Sequence, residues 1–203
     1  MIVAENITKK FGDKELFSDF SFRIDDGEFV CFAGRSGSGK TTLLNIIGQL
    51  EPIDSGRVLI HGREIKTNRE RRKFFREDVG FLFQNFALIE NKTVRQNLAL
   101  VIQDAHSPVS IETVLESVGL SEKIEEKVYT LSGGEQQRVA LARLMLKPCN
   151  IVLADEPTGS LDRENALAVM DILRSINKSG KTVVMVTHDE TFKLQADRII
   201  SLD

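Results

Sequence analysis

The chain has 203 residues, 41% hydrophobic and 28% charged, which is ordinary globular composition with enough length for one sizeable core. That excludes a disordered tail, a collagen-like repeat and a coiled-coil rod. A formal net charge of −3 lacks the basic footprint of a nucleic-acid binder, so no nucleic-acid partner is expected.

The opening, Met1-Ile2-Val3-Ala4-Glu5, has neither the basic nor the apolar segment of a secretion signal. No apolar run approaches the ~18–20 residues of a membrane helix, so a soluble cytoplasmic chain is expected. Ile2 to Ile7 and Leu16 to Ile24 read as strands, the second alternating in Phe20-Ser21-Phe22-Arg23-Ile24. Phe29 to Phe32 is continuously apolar, as a strand buried on both faces should be. It contains Cys31, a buried hydrophobe in this reading, while Cys149 is an incidental thiol. Neither is expected in a disulfide or a metal site.

Next comes Gly34-Arg35-Ser36-Gly37-Ser38-Gly39-Lys40-Thr41, which fits G-x-x-x-x-G-K-[ST] between a strand and a helix from Lys40 to Ile47. Its glycines let backbone N–H groups turn inward around phosphate oxygens, and the helix start adds its positive dipole end. Lys40 can reach β- and γ-phosphates, and the Thr41 hydroxyl can ligate Mg²⁺. Nucleoside triphosphate binding follows from this segment.

Val58 to Ile60 and Val79 to Phe83 are further strand candidates. The basic run Arg69 to Arg76 has helical spacing, a glutamate and two phenylalanines, and reads as a solvated surface helix. From Val94 to Leu146 helical patterns dominate, which predicts a helical subdomain inserted into an α/β body. Within it, Leu131-Ser132-Gly133-Gly134-Glu135 precedes a helix from Gln136 to Leu146. Ser132 and Glu135 have capping-box spacing. Two consecutive glycines are not explained by a cap, because each costs helix stability. They expose backbone donors and suggest a second phosphate-contacting surface.

Strands return at Ile151 to Ala154, Thr182 to Val186 and Arg198 to Leu202, around a helix from Arg163 to Ile176. The first ends in Asp155-Glu156. Ligands of a parallel sheet sit beyond the carboxyl ends of its strands, so Asp155 is a candidate Mg²⁺ partner and Glu156 is placed to polarise a water.

The phosphate loop, Gln84, Leu131 to Gln137, Asp155-Glu156, Ser160-Leu161-Asp162 and His188 together resemble the ATP-binding subunits of ABC transporters in order and context. The resemblance covers nearly the whole chain. It implies a P-loop α/β fold of ABC type: a mostly parallel central sheet, an N-terminal antiparallel β part and an inserted helical subdomain. One domain is expected over residues 1–203, with residues 1–84 and 148–203 as ATP-binding core and about 85–147 as the helical signature part.

The resemblance also assigns roles. Phe11 stands where an aromatic stacks on adenine, and the loop residues Gly34, Ser36, Gly37, Ser38, Gly39, Lys40, Thr41 and Thr42 cradle the nucleotide. Thr41, Gln84 and Asp155 hold Mg²⁺. Glu156 is the base, Gln84 senses the attacking water and His188 contacts the γ-phosphate. Ser132, Gly133, Gly134 and Asp162 act across the interface with a second ATP-binding subunit, in a dimer closed around two ATP. Asp162 could equally cap the following helix, and Thr187 with Glu190 could form a cap around His188.

A membrane permease is the implied partner, docked near Phe86, Leu88 and Ile89 on the inner face of the membrane. The segments Pro157 to Asp162 and Glu135 to Arg143 resemble the macrolide-exporter, lipoprotein-release and cell-division branch, and short bacteriocin-export ATPases. DNA-organising relatives carry a long coiled-coil insert and ribosome-associated ones two cassettes, and neither feature is present in this sequence. A binding module without catalysis is disfavoured by Lys40, Glu156 and His188 occurring together.

Overall fold

The computed structural model describes residues 1–102, 109–159 and 161–202, with the backbone alone at residue 102. Its strands are β1 (Ile2–Phe11), β2 (Lys14–Ile24), β3 (Phe29–Ala33), β4 (Ser55–Ile60), β5 (Val79–Leu82), β6 (Ile151–Asp155), β7 (Thr182–Val186) and β8 (Arg198–Ser201). Its helices are α1 (Lys40–Ile47), α2 (Asn68–Glu77), α3 (Val94–Ile102), α4 (Ile111–Ser117), α5 (Gly133–Leu146), α6 (Arg163–Lys178) and α7 (Glu190–Lys193). Short 3₁₀ turns lie at Ser121–Lys123 and Val128–Thr130.

Two sheets form. The antiparallel one has the order β2-β1-β4, and the parallel one runs β5-β6-β7-β3-β8. Side chains alternate across the parallel sheet because successive strand residues point to opposite faces. Val30, Phe32, Ile151, Leu153, Val184 and Val186 join α1 and the antiparallel sheet on one side. Phe29, Cys31, Val152, Ala154, Val183 and Met185 pack with α5 and α6 on the other. All residues of β6 and β7 are buried, as the apolar runs predict. Each large side chain so enclosed contributes roughly 1.5–3 kcal/mol. A third cluster, with Val94, Leu98, Val114, Leu115, Val139 and Leu146, gives α3, α4 and α5 a core of their own.

Several elements differ from the sequence expectation. β1 continues past Ile7 because Lys9, Lys10 and Phe11 pair with Phe17, Glu15 and Lys14 of β2. Pairing with a neighbour overrides the fading alternation, and Lys9 is buried against Glu51 at 2.6 Å. β4 begins at Ser55, β6 gains Asp155, and β5 and β8 stop one residue earlier than expected. α5 starts at Gly133 rather than Gln136, since Ser132 caps it directly. Cys149 is buried rather than incidental, packed with Cys31, Leu144 and Val152 in the α5–α6 face. The basic run is helical, as α2, with Thr67 and Glu70 forming a capping box and Phe74 buried. Ser160, from the resemblance, lies outside the described residues.

Candidate functional site

Register brings the site together. Phe32 and Asp155 both pair with Val186 at the carboxyl edge of the parallel sheet. The loop after β3, Glu156 after β6 and Thr187 after β7 therefore emerge side by side. β5 adds Gln84 from the next position along, since Leu82 pairs with Ala154. This is the crevice in which a parallel sheet presents ligand groups.

The phosphate loop is tightly fitted. Gly39, at φ +94°, caps α1 in a left-handed conformation, and a Cβ there would lie 2.7 Å from the Phe17 ring. A Cβ at Gly34 would meet Ser38 Oγ at 2.7 Å. Lys40 is only 9% exposed and donates to the carbonyls of Gly34 at 2.7 Å and Arg35 at 2.9 Å. Lys14 reaches Gly37 O at 3.3 Å from the β1–β2 hairpin. Ser38 Oγ is buried without a hydrogen-bond partner. An orphaned hydroxyl in a glycine-rich loop at a helix start is a group that an anionic phosphate could satisfy. Thr42, on the first turn of α1, is partly buried beside Thr41.

Behind the loop, Thr41 Oγ1 donates to Asp155 Oδ1 at 3.0 Å. Asp155 is 9% exposed, and burial pushes its carboxyl above the ordinary aspartate range. The Thr41 hydroxyl opposes this, the Glu156 charge reinforces it, and Lys40 pulls it back. A hydroxyl and a carboxylate so paired offer hard oxygen ligands, which suit Mg²⁺.

Glu156 has φ +45°, a left-handed conformation that costs a non-glycine residue about 1–3 kcal/mol. Its N–H donates to Val186 O at 2.9 Å, which holds the kink. The side chain meets His188, with Oε2 accepting from the His188 N–H at 3.3 Å and 2.9 Å from Nδ1. The His188 side chain itself is 70% exposed. The helix cap beside His188, offered above as an alternative from Thr187 and Glu190, is made by Asp189, whose Oδ1 accepts from Thr191 N and Phe192 N. Thr187 Oγ1 accepts from Asp189 N.

Gln84 is exposed in the turn after β5. Phe11 ends β1 at 49% exposure, with Lys9 Nζ 4.6 Å from its ring centre, so it is a surface aromatic and not a core one. Ser132 Oγ accepts from Glu135 N at 3.3 Å, and Glu135 Oε2 accepts from Ser132 N at 2.7 Å, completing the capping box. Nothing lies within 4 Å of a Cβ built on Gly133, whereas one on Gly134 would strike the Asn165 side chain at 2.6 Å. Asp162 caps α6 through Asn165 N at 3.0 Å and also accepts from Asn165 Nδ2 at 2.6 Å.

Two contacts had no sequence signal. Gln137 Nε2 donates to Pro157 O at 2.7 Å, and Arg143 donates to the carbonyls of Phe86 and Ala87. A side chain bonded to a distant carbonyl leaves no spacing to read.

The ABC transporter family profile matches residues 17–159. The chain belongs to this family. It carries the family's ATPase domain. Over its full length it is 38% identical to the macrolide export ATP-binding/permease protein MacB of Campylobacter jejuni, of which it spans 33%. It is also 38% identical to the ABC transporter ATP-binding protein MJ1508 of Methanocaldococcus jannaschii, spanning all of this chain and 95% of that one. A dimeric structure of the ATP-binding cassette MJ0796, in a post-hydrolysis state with ADP and Pi, superposes with TM-score 0.88 and 37% identity. That match covers 100% of this chain and 94% of the other. The parallel sheet, antiparallel sheet and helices thus form the ABC-type α/β fold that the sequence resemblance implies. No helix among the described residues is long and apolar enough to cross a membrane.

Proposed function

We propose that this chain binds and hydrolyses ATP as the motor of an ABC transporter, dimerising around two ATP molecules and driving a membrane permease. The observation that carries the reading is the line Lys40, Thr41, Asp155, Glu156 and His188 across one sheet edge. In this reading the amides of Gly34, Ser36, Gly37, Ser38 and Gly39, with Thr42, hold the phosphates. Lys40 exchanges its bonds to Gly34 O and Arg35 O for β- and γ-phosphate oxygens. Thr41, Asp155 and Gln84 hold Mg²⁺, which would neutralise charge developing on the phosphates. Glu156 accepts a proton from the attacking water, His188 contacts the γ-phosphate, and Phe11 stacks on adenine.

Residues 1–84 and 148–203 serve as ATP-binding core, and about 85–147 as the helical part that presents Ser132, Gly133 and Gly134 to the ATP of a second subunit. Asp162 meets the same partner, which we take to be a copy of this chain. MJ0796 is described as dimeric, which supports this arrangement. ATP contacts made by both subunits favour the closed state, and loss of the γ-phosphate reverses that bias.

The permease reading is supported by the MacB relatives, described as ATP-binding/permease proteins. The chain would sit at the inner face of the cell membrane. Ile89 is exposed, whereas Phe86 and Leu88 are partly buried against the core clusters, and a groove of about 1330 Å³ opens elsewhere, between α2 and α3, with none of these three residues in its lining. Phe75, Leu100 and Val101 line it together with Arg69, Arg72 and Arg76. The cargo class proposed is a peptide, a lipid-linked molecule or an antimicrobial compound, or mechanical work without cargo. The test is purification of the Glu156→Gln variant from detergent-solubilised membranes with and without ATP. A co-purifying multi-spanning protein is expected, and recovery of ribosomes or DNA instead would overturn the transporter assignment.

A further inference from the structure

Gln137 lies on the second turn of α5, 1% exposed, with its Nε2 on Pro157 O and its Oε1 buried without a partner. A buried, unpaired acceptor costs about 1–3 kcal/mol, and Met or Leu here would exchange the unpaired Oε1 for an unpaired carbonyl on buried Pro157. What glutamine supplies at this position is the bond to Pro157 O. Proline has no N–H, so Pro157 can join a hydrogen-bond network only through its carbonyl, and Gln137 supplies the donor.

Pro157 directly follows Glu156, whose left-handed backbone must be held from both sides. Val186 O holds it through the Glu156 N–H, the Gly159 N–H donates to the Glu156 carbonyl at 3.2 Å, and Gln137 holds the Pro157 carbonyl one peptide further on. The same helix is capped by Ser132, and its Arg138 donates to Asn165, which bonds Asp162. Through Arg143 it also fixes the carbonyls two and three residues beyond Gln84. One helix thus bonds the segments just after Glu156 and Gln84 and, through Asn165 of α6, reaches Asp162.

We propose that Gln137 is a positioning residue that transmits the position of the Ser132-Gly133-Gly134 surface to Glu156 of the same subunit. The inference rests on the dimer reading above: that surface serves one ATP while Glu156 serves the other, so Gln137 couples the two sites. A variant that cannot donate leaves the phosphate loop intact, binds ATP normally and misplaces the base.

The test compares wild type with Gln137→Met and Gln137→Leu in the full chain. It reads melting temperature, ATP affinity by direct titration, ATP-dependent dimerisation in a Glu156→Gln background, and steady-state kinetics. The expected result is a kcat lowered about 10- to 100-fold, the range a misplacement near 1 Å produces. ATP affinity and KM should hold within about twofold, and the dimer should still form. A folded variant with wild-type kcat overturns the proposal. So does a parallel fall of melting temperature and ATP affinity in both variants, which would assign Gln137 to packing. A wild-type chain that hydrolyses no ATP overturns the ATPase reading itself, and this inference with it.

Discussion

The Thr41 hydroxyl and the Asp155 carboxylate meet at 3.0 Å beneath the phosphate loop, joining the start of α1 to the end of β6. The contact stores a conflict, because burial disfavours the ionised carboxylate that Mg²⁺ would require. An acid whose folded pKa is raised loses stability as the pH rises above its unfolded value. Asp155→Asn removes that cost. The variant should melt higher than wild type at pH 7 in the absence of nucleotide and metal, and the gap should close as the pH falls below the ordinary aspartate range. Each kcal/mol corresponds to about 2–4 °C in a chain of this size. Its ATPase activity should be lost. A lower melting temperature at neutral pH would contradict the burial argument.

Glu156→Gln keeps the length and backbone of the proposed base and removes its proton acceptor. Hydrolysis should fall by about 10²–10⁴-fold while ATP still binds, so an ATP-bound dimer should accumulate in size-exclusion chromatography. Near-normal turnover would remove Glu156 from the role. Lys40→Ala, by contrast, should weaken ATP binding itself, since Lys40 is the buried cation of the loop. Unchanged affinity in a direct titration would contradict the phosphate-loop assignment.

What the sequence shows and what it hides follow one physical division. The phosphate loop, the capping box of Ser132 with Glu135 and the apolar strands β3, β6 and β7 depend on neighbours within a few residues, so spacing exposes them. The mostly parallel sheet and its ABC-type fold came from the family resemblance, whereas the strand order β5-β6-β7-β3-β8 had no signal in the sequence. The left-handed turn at Glu156 had no signal, because glutamate has no preference for positive φ and the loop is imposed by Val186 O. Gln137 on Pro157 O and Arg143 on Phe86 O were equally silent. β1 beyond Ile7 exists because β2 pairs with it, and its irregular register blurs the alternation that would have marked it.

Ser132 caps α5 and, in the proposed dimer, would also face the partner's ATP; mutation can separate the two. As the α5 cap, Ser132→Ala should cost about 0.5–2 kcal/mol. Ser132→Arg should in addition block closure onto a partner's ATP while each subunit still binds nucleotide, and a normal ATP-dependent dimer would refute the composite site. The cap also carries a pH signature. The Ser132 N–H holds the Glu135 carboxylate below its ordinary range. A lowered folded pKa gives stability above the unfolded value that is lost as pH falls through the folded one. Glu135→Gln should therefore melt lower than wild type at pH 7, with the difference narrowing in acid below the ordinary glutamate range.

The paired glycines at the start of α5 should behave oppositely. A Cβ on Gly133 meets open space, and alanine is the better helix former by about 1 kcal/mol. Gly133→Ala should therefore fold at least as stably as wild type. If the glycine is there for close approach by a partner's phosphate, the same variant should lose ATP-dependent dimerisation and turnover while keeping ATP affinity. A Cβ on Gly134 would instead press on Asn165, 2.6 Å away, and displace the side chain that bonds Asp162 and Arg138. Gly134→Ala should lower the melting temperature before any partner is present. Thermal melts of both variants, followed by dimerisation assays with ATP, separate the two. Full activity in Gly133→Ala would mean that the open face of α5 meets no phosphate.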